Sequence, residues 1–272
     1  MTGFECPKSK RFKPENTNNA MSRLRAIKRG LVLLWTIVEI VARLSLHAQL
    51  KGFDMEWALP ARQKWIHRAL RILGVEVEIS GTPPKGPCIF TGNHRSYLDP
   101  VIVLRDVRAI PVAKSEVASW PLIGYGGRVS GIMYVKRESK RSRAATIEAM
   151  RQVLRGGHSV LVYPEGTTHI LPTTMPLQTG AFRLAVEEGL PIVPMAIEYG
   201  TVEDAWYGDD TFVPHFLRCF GKKKTFVKMR YGQPISGSDA QVLARQARLW
   251  LDENMVQMRQ EFDKMPQATT TV

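Results

Sequence analysis

Thr91-Gly92-Asn93-His94-Arg95-Ser96-Tyr97-Leu98-Asp99-Pro100 is the stretch around which the rest of the chain can be organised. The residues before it, Pro87-Cys88-Ile89-Phe90, have the apolar character of a short buried strand. After it, Val101 and Leu104 begin a helix-like pattern. A histidine therefore stands where a strand ends, and an aspartate where a helix begins. Histidine, with an unperturbed pKa of about 6.5, suits proton transfer near neutrality. A carboxylate on its other ring nitrogen would fix the tautomer of such a base. Alone, the motif has an equally good structural reading: Asp99 as helix N-cap, Pro100 as first helical residue, His94 as an ordinary surface histidine.

Outward from this stretch, strand and helix patterns alternate. Strands are predicted at Val75–Ile79, Ile89–Thr91, Val107–Val112, Ile132–Val135, Ser159–Tyr163, Leu190–Glu198 and Lys224–Tyr231. Helical periodicity marks Ser142–Leu154, Thr179–Glu188 and Asp239–Lys264, the last with Asp239 as its cap. Trp120–Gly127 reads as loop-rich and Glu203–Asp210 as an acidic loop. The fold class expected for 75–272 is α/β: a mixed central sheet flanked by helices, with sites at strand ends. Several polar candidates do follow strand candidates directly: His94, Lys136 with Arg137, and Glu165.

Upstream, residues 21–74 differ in kind. Arg23, Arg25, Lys28 and Arg29 precede an apolar run from Leu31 to Val38, which Glu39 interrupts. A spanning helix needs about 20 mostly apolar residues. Leu24, Ile27, Leu31, Leu34, Val38 and Val41 instead share one helical stripe, with Glu39 and Arg43 spaced to pair away from it. The pattern predicts a helix lying in a bilayer interface. A second helix is expected over about Glu56–Leu73, with Pro60 near its start and Gly74 as its stop. Trp57 and Trp65 suit the headgroup level. Residues 1–20 are polar, lack the apolar core of a secretory signal and are expected to form a flexible tail.

The net charge of +13 in 272 residues points to an anionic partner. Residues 1–74 hold 14 Lys/Arg against five Asp/Glu, so nine of the thirteen excess charges lie there. Concentration of basic charge beside an apolar helix favours an anionic membrane surface over nucleic acid. Cys6, Cys88 and Cys219 are too far apart to suggest a disulfide framework or a zinc site. No metal or cofactor is expected.

Four blocks in order carry a resemblance: Asn93-His94 with Asp99; Gly131-Ile132-Met133-Tyr134-Val135-Lys136-Arg137; Tyr163-Pro164-Glu165-Gly166-Thr167; and Pro191-Ile192-Val193-Pro194. Together they resemble the motifs of the glycerolipid acyltransferase family, typified by the 1-acylglycerol-3-phosphate acyltransferases. The resemblance implies His94 and Asp99 as the catalytic pair, with Lys136, Arg137, Glu165, Gly166 and Thr167 at the acceptor site. It implies acyl-CoA or acyl carrier protein as co-substrate, a lyso-lipid hydroxyl as acceptor and phosphatidic acid as product, at the cytoplasmic face of a membrane. No G-x-S-x-G elbow occurs, so transfer without an acyl-enzyme is expected.

One departure matters. The family usually follows Pro-Glu-Gly-Thr with arginine, whereas this chain has Thr168 and then His169. An acceptor with another headgroup, such as lyso-ornithine lipid, is therefore the alternative. A non-catalytic lipid- or nucleic-acid-binding protein on the same scaffold is the alternative of another class.

Overall fold

The computed structural model describes residues 20–119, 123–135 and 140–265. The tail expected over 1–20 falls outside this range except for Ala20, which already opens the first helix. That helix, α1 (Ala20–Lys51), is followed by α2 (Met55–Leu73) and then by β1 (Val75–Ser80) and β2 (Ile89–Gly92). Next come α3 (Asp99–Val103), β3 (Ala109–Lys114), α4 (Ile123–Val129), β4 (Met133–Val135) and α5 (Lys140–Arg155). The chain closes with β5 (Ser159–Val162), α6 (Gly180–Glu188), β6 (Ile192–Tyr199), α7 (Phe212–Phe220), β7 (Thr225–Tyr231) and α8 (Ala240–Lys264).

The strands form one seven-stranded sheet in the order β1-β7-β6-β2-β5-β3-β4. Only the β6–β7 seam is antiparallel. The mixed sheet flanked by helices is thus as expected from the sequence. Every residue of β2, β5 and β6 is buried, as continuous apolar strands in the middle of a parallel sheet should be. β1 alternates outward-pointing Glu76 and Glu78 with inward residues and lies at the edge.

Period-two alternation splits the core between the two faces. Phe90, Leu161 and Val193, which sit side by side in register, join the layer containing Ile66 and Leu70 of α2, Ile102 of α3 and Phe220 of α7. Their neighbours Ile89, Val160 and Ile192 face Phe182 and Leu184 of α6 and Leu243 of α8. α8 is capped as predicted: Asp239 accepts from the Gln241 and Val242 amides.

α1 and α2 form an antiparallel hairpin laid along the sheet domain. Asp54 caps α2, accepting from the Glu56 amide, and Gly74 ends it at φ 74°. Pro60 is the sixth of the nineteen residues of α2, one place later than a start at Glu56 would put it, and α2 continues past it. Arg25 and Arg29 of α1 donate to the carbonyls of Phe220, Gly221, Lys222 and Lys223, and Trp65 of α2 donates to Thr36 at 3.2 Å. His47 stacks on Trp57 with centroids 3.8 Å apart. Both tryptophans thus work at the helix–helix seam.

α1 buries few residues, Ser22, Ala26, Thr36 and Leu44. The stripe of Leu24, Ile27, Leu31, Leu34 and Val38 is exposed, at 42–67%. Glu39 does not pair with Arg43. It bridges Arg68 at 2.6 Å, because α2 runs alongside and offers a nearer guanidinium.

Two further elements depart from expectation. The loop-rich pattern of Trp120–Gly127 gives way to a helix: α4 begins at Ile123 and contains Gly124, Gly126 and Gly127. The glycines permit close approach: a Cβ on Gly126 would stand 2.7 Å from Val41 of α1. α7 has no counterpart among the predicted elements; Phe212, Phe216 and Phe220 recur every fourth residue along it, the first pair of rings tilted and the second edge-to-face.

Candidate active site

β2 delivers the polypeptide to the C-terminal edge of the parallel strands, where open α/β sheets place their sites. Asn93 fixes its exit. The Asn93 amide donates to the Ile197 carbonyl at 2.9 Å and accepts from the Ile197 N–H at 2.8 Å, adding one side-chain rung between β2 and β6. The backbone then turns through 94–98, with Asp99 N–H donating to the Ser96 carbonyl.

That turn brings His94 and Asp99 together. Nδ1 of His94 lies 2.8 Å from Oδ2 of Asp99. The same oxygen accepts the N–H groups of Arg95 (2.6 Å) and Ser96 (2.8 Å), and Oδ1 accepts the Tyr199 hydroxyl at 2.7 Å. Burial and the adjacent Asp99 charge push the Tyr199 phenol well above its ordinary value, so it remains a donor. Donors thus surround the carboxylate, which places the His94 proton on Nδ1 and leaves Nε2 with a lone pair. The His94 side chain keeps 20% exposure, whereas that of Asp99 has none. The base is reachable; its partner is sealed off. Asp99 is not the N-cap expected of it: it is the first residue of α3, and Leu98 occupies the cap position. Its oxygens face back into the turn.

The ring of His94 stacks on Tyr163, centroids 4.2 Å apart and planes 14° from parallel. Tyr163 follows β5, and Gly166 closes the next turn at φ 77°, its N–H donating to the Tyr163 carbonyl. Between them Glu165 is buried, with both oxygens engaged. Oε1 accepts the His94 backbone N–H at 3.0 Å, and Oε2 accepts the Met175 N–H at 2.6 Å and Nε2 of His169. The Leu171 N–H donates to Nδ1 of His169, so the His169 proton resides on Nε2 and points at Glu165. The His169 N–H returns to the His94 carbonyl. Thr167 is exposed beside this turn. Lys136 and Arg137 lie outside the described residues; β4, which leads to them, ends at Val135 on the same sheet edge.

Arg95 braces the other side. Its guanidinium is 3% exposed, pairs with Glu198 at 2.9 Å and donates to the His169 carbonyl at 2.8 Å. Arg259 of α8 holds Glu198 at 2.5 Å. A buried ion pair of this kind needs such full hydrogen bonding to offset desolvation. Arg95, Glu198 and Tyr199 carry no signal of a role in the sequence, and His169 enters there only as a departure from the family pattern. His169 had a visible signal, four residues from Glu165. Tyr199 had none, since only the fold carries it next to Asp99.

The nucleophile candidates are occupied elsewhere. Burial pushes the Cys88 thiol up to about 11, and it sits against Ser159. The Ser96 hydroxyl accepts the Leu98 N–H. Among the described residues no cluster of His, Cys, Asp or Glu has the arrangement of a metal site.

Comparison with known proteins bears on the family and the fold. The family model described as Acyltransferase matches residues 74–198. Lyso-ornithine lipid O-acyltransferase of Pseudomonas aeruginosa is 31% identical over 241 residues, covering 84% of this chain and 92% of that protein. The chloroplastic 1-acyl-sn-glycerol-3-phosphate acyltransferase BAT2 of Brassica napus is 28% identical over 94% of this chain and 73% of its own. Among solved structures, PlsC of Thermotoga maritima, a 1-acyl-sn-glycerophosphate acyltransferase, aligns with a TM-score of 0.57 at 19% identity, over 85% of this chain and 98% of that one. At that identity the likeness speaks for the fold.

Proposed function

Because this chain belongs to the acyltransferase family, we propose that it transfers a fatty acyl group from a thioester to the free hydroxyl of a membrane lyso-lipid, with His94 as general base. The His94–Asp99 pair carries the reading: a partly exposed imidazole whose tautomer is fixed by a sealed carboxylate. His94 Nε2 takes the hydroxyl proton as the oxygen attacks the thioester carbonyl. The tetrahedral intermediate expels the thiolate of acyl-CoA or acyl carrier protein. The imidazolium, steadied by Asp99, returns its proton to that sulfur. No acyl-enzyme forms and no cofactor is used.

For the acceptor, an amino-acid lipid of the lyso-ornithine class is the preferred reading. Where the family usually has arginine this chain has Thr168, and the His169 beside it is consumed by Glu165. The relative with 31% identity bears that substrate in its name. Lysophosphatidate is the second reading, supported by Lys136 and Arg137 following β4, since a guanidinium suits a phosphate monoester.

We place the protein at the cytoplasmic face of a membrane; what α1 supports is the membrane association. That helix is long and apolar enough to cross a bilayer, with a mean hydropathy of 1.7 over its best window. Yet Arg25, Arg29, Thr36 and His47 tie it lengthwise to the rest of the protein. A helix bound along one face and apolar along the other lies flat in an interface.

The test is a panel of lyso-lipid acceptors offered to purified protein with a labelled acyl donor. Turnover of lyso-ornithine lipid but not lysophosphatidate is expected; the reverse rejects the preferred acceptor. Failure of every acceptor, or equal turnover by His94→Ala, rejects acyl transfer by this site.

A further inference from the structure

Between α1 and α2, away from His94, lies a cleft lined by Glu39, Ile40, Arg43, Lys64, Trp65 and Arg68. It holds about 160 Å³ of space open to solvent, several times the ~30 Å³ share of one water in the liquid. Its charge is unbalanced. Glu39 and Arg68 neutralise one another at 2.6 Å, which leaves Arg43 and Lys64 as net positive charge at the same opening. Lys64 has no ion-pair partner among the described residues. Arg43 rests over the Trp57 ring, 5.5 Å from its centroid, which aims its guanidinium along the seam.

We propose that this cleft binds the phosphodiester headgroup of an anionic glycerophospholipid, at a site separate from the acyl acceptor's. A phosphodiester carries one negative charge and offers acceptors only, which Arg43 and Lys64 match as donors. The surroundings select a lipid over a free anion. Trp35, Glu39, Arg43 and Leu46 follow one another along one side of α1, so the charged opening has an exposed apolar side chain at each end: Trp35 at 68% and Leu46 at 57%. A headgroup seated at Arg43 has its acyl chains against Trp35 and Leu46. The membrane-surface reading of α1 underlies the supply of such a lipid; the cleft's selectivity is a separate property.

The experiment uses the full chain and its Arg43→Gln/Lys64→Gln double variant, with Lys28→Gln/Arg71→Gln as a control removing equal charge from the same two helices. Circular dichroism and thermal melting establish that each is folded. Calorimetric titration with a short-chain, water-soluble phosphatidylglycerol is expected to show saturable binding. The cleft variant should bind roughly tenfold more weakly or worse, and the control within a factor of about two. Equal losses in both variants mean diffuse surface charge and overturn the site. Inorganic phosphate or an acidic carrier protein binding at the cleft as well as the lipid overturns the lipid assignment. Absence of saturable binding overturns it outright. Vesicle sedimentation is run in parallel: a protein that ignores phosphatidylglycerol vesicles yet binds the soluble lipid retains the cleft and loses the membrane-surface reading.

Discussion

The hydroxyl of Tyr199, at the end of β6, donates to Oδ1 of Asp99 at 2.7 Å and so leaves Oδ2 to His94. The two oxygens have separate duties, one anchored by the sheet and one facing the base. Asp99→Asn would put an amide where only an acceptor fits, and would favour the wrong His94 tautomer. A kcat loss of about 10²–10⁴ is expected, the range a positioned general base contributes, with protein still folded. Tyr199→Phe removes the anchor but keeps the acceptor, so its loss should be far smaller. Labelled-donor assays on both variants check this; equal losses would mean that Asp99 is held chiefly through Tyr199.

His169 reaches the proposed base through Glu165. With His169→Ala, Glu165 Oε2 loses a donor while Oε1 still receives the His94 N–H. A stability cost of about 1–3 kcal/mol is expected from the disturbed buried carboxylate, together with a fall in kcat that exceeds any rise in KM. His169→Gln, which can still donate an N–H, should recover much of both. Denaturant unfolding alongside kcat and KM decides; a change confined to KM would assign His169 to acceptor contact instead.

Tyr163 buries a hydroxyl with no hydrogen-bond partner among the described residues. Burial, with the Asp99 charge nearby, pushes its pKa well up, so it stays neutral. The stacking on His94 uses only the ring. Tyr163→Phe should therefore keep activity within a few-fold and raise stability by up to about 1–3 kcal/mol, the cost of an unsatisfied buried group. A destabilised or inactive Tyr163→Phe would show that the hydroxyl has a partner during turnover.

His215 of α7 links the catalytic turn to acid sensitivity. It lies 3.2 Å from the Tyr97 hydroxyl and 3.0 Å from the Ala205 carbonyl, and burial is the main cause that lowers its pKa below 6.5. The native state thus prefers the neutral ring. Above pH 6.5 the ring is neutral folded or unfolded, and its contribution is complete. As pH falls below that, the unfolded chain takes up a proton the native protein resists, and stability drops, by at most about 1.4 kcal/mol per pH unit for one site. His215→Gln should flatten the decline in Tm over this range. An unchanged slope would move the acid sensitivity elsewhere.

The strands were legible because parallel, doubly covered strands are written as apolar runs between turn residues, as at Ile89–Gly92 and Ser159–Val162. His94, Asp99 and Glu165 were legible because short motifs held them at strand ends. What could not be read was mostly non-local. The Asn93 rung reaches Ile197, and the Arg95–Glu198–Arg259 ladder joins three distant segments. Local rules also misled where tertiary contact overrode them: glycines that suggested a loop make α4 thin enough to lie against α1, and an aspartate placed to cap α3 turns inward to the histidine instead.

The paired hydrogen bonds of Asn93 have a consequence for how this protein fails on heating. A loop hung on a sheet only by its backbone can fray while the domain survives. Here the residue before the histidine is stitched to Ile197, whose own strand lies fully enclosed in the middle of the sheet. Letting the imidazole drift means breaking those two bonds, in a strand expected to be among the last segments to exchange its amide hydrogens. Inactivation and loss of tertiary structure should therefore share one midpoint, with no temperature window of intact but idle molecules.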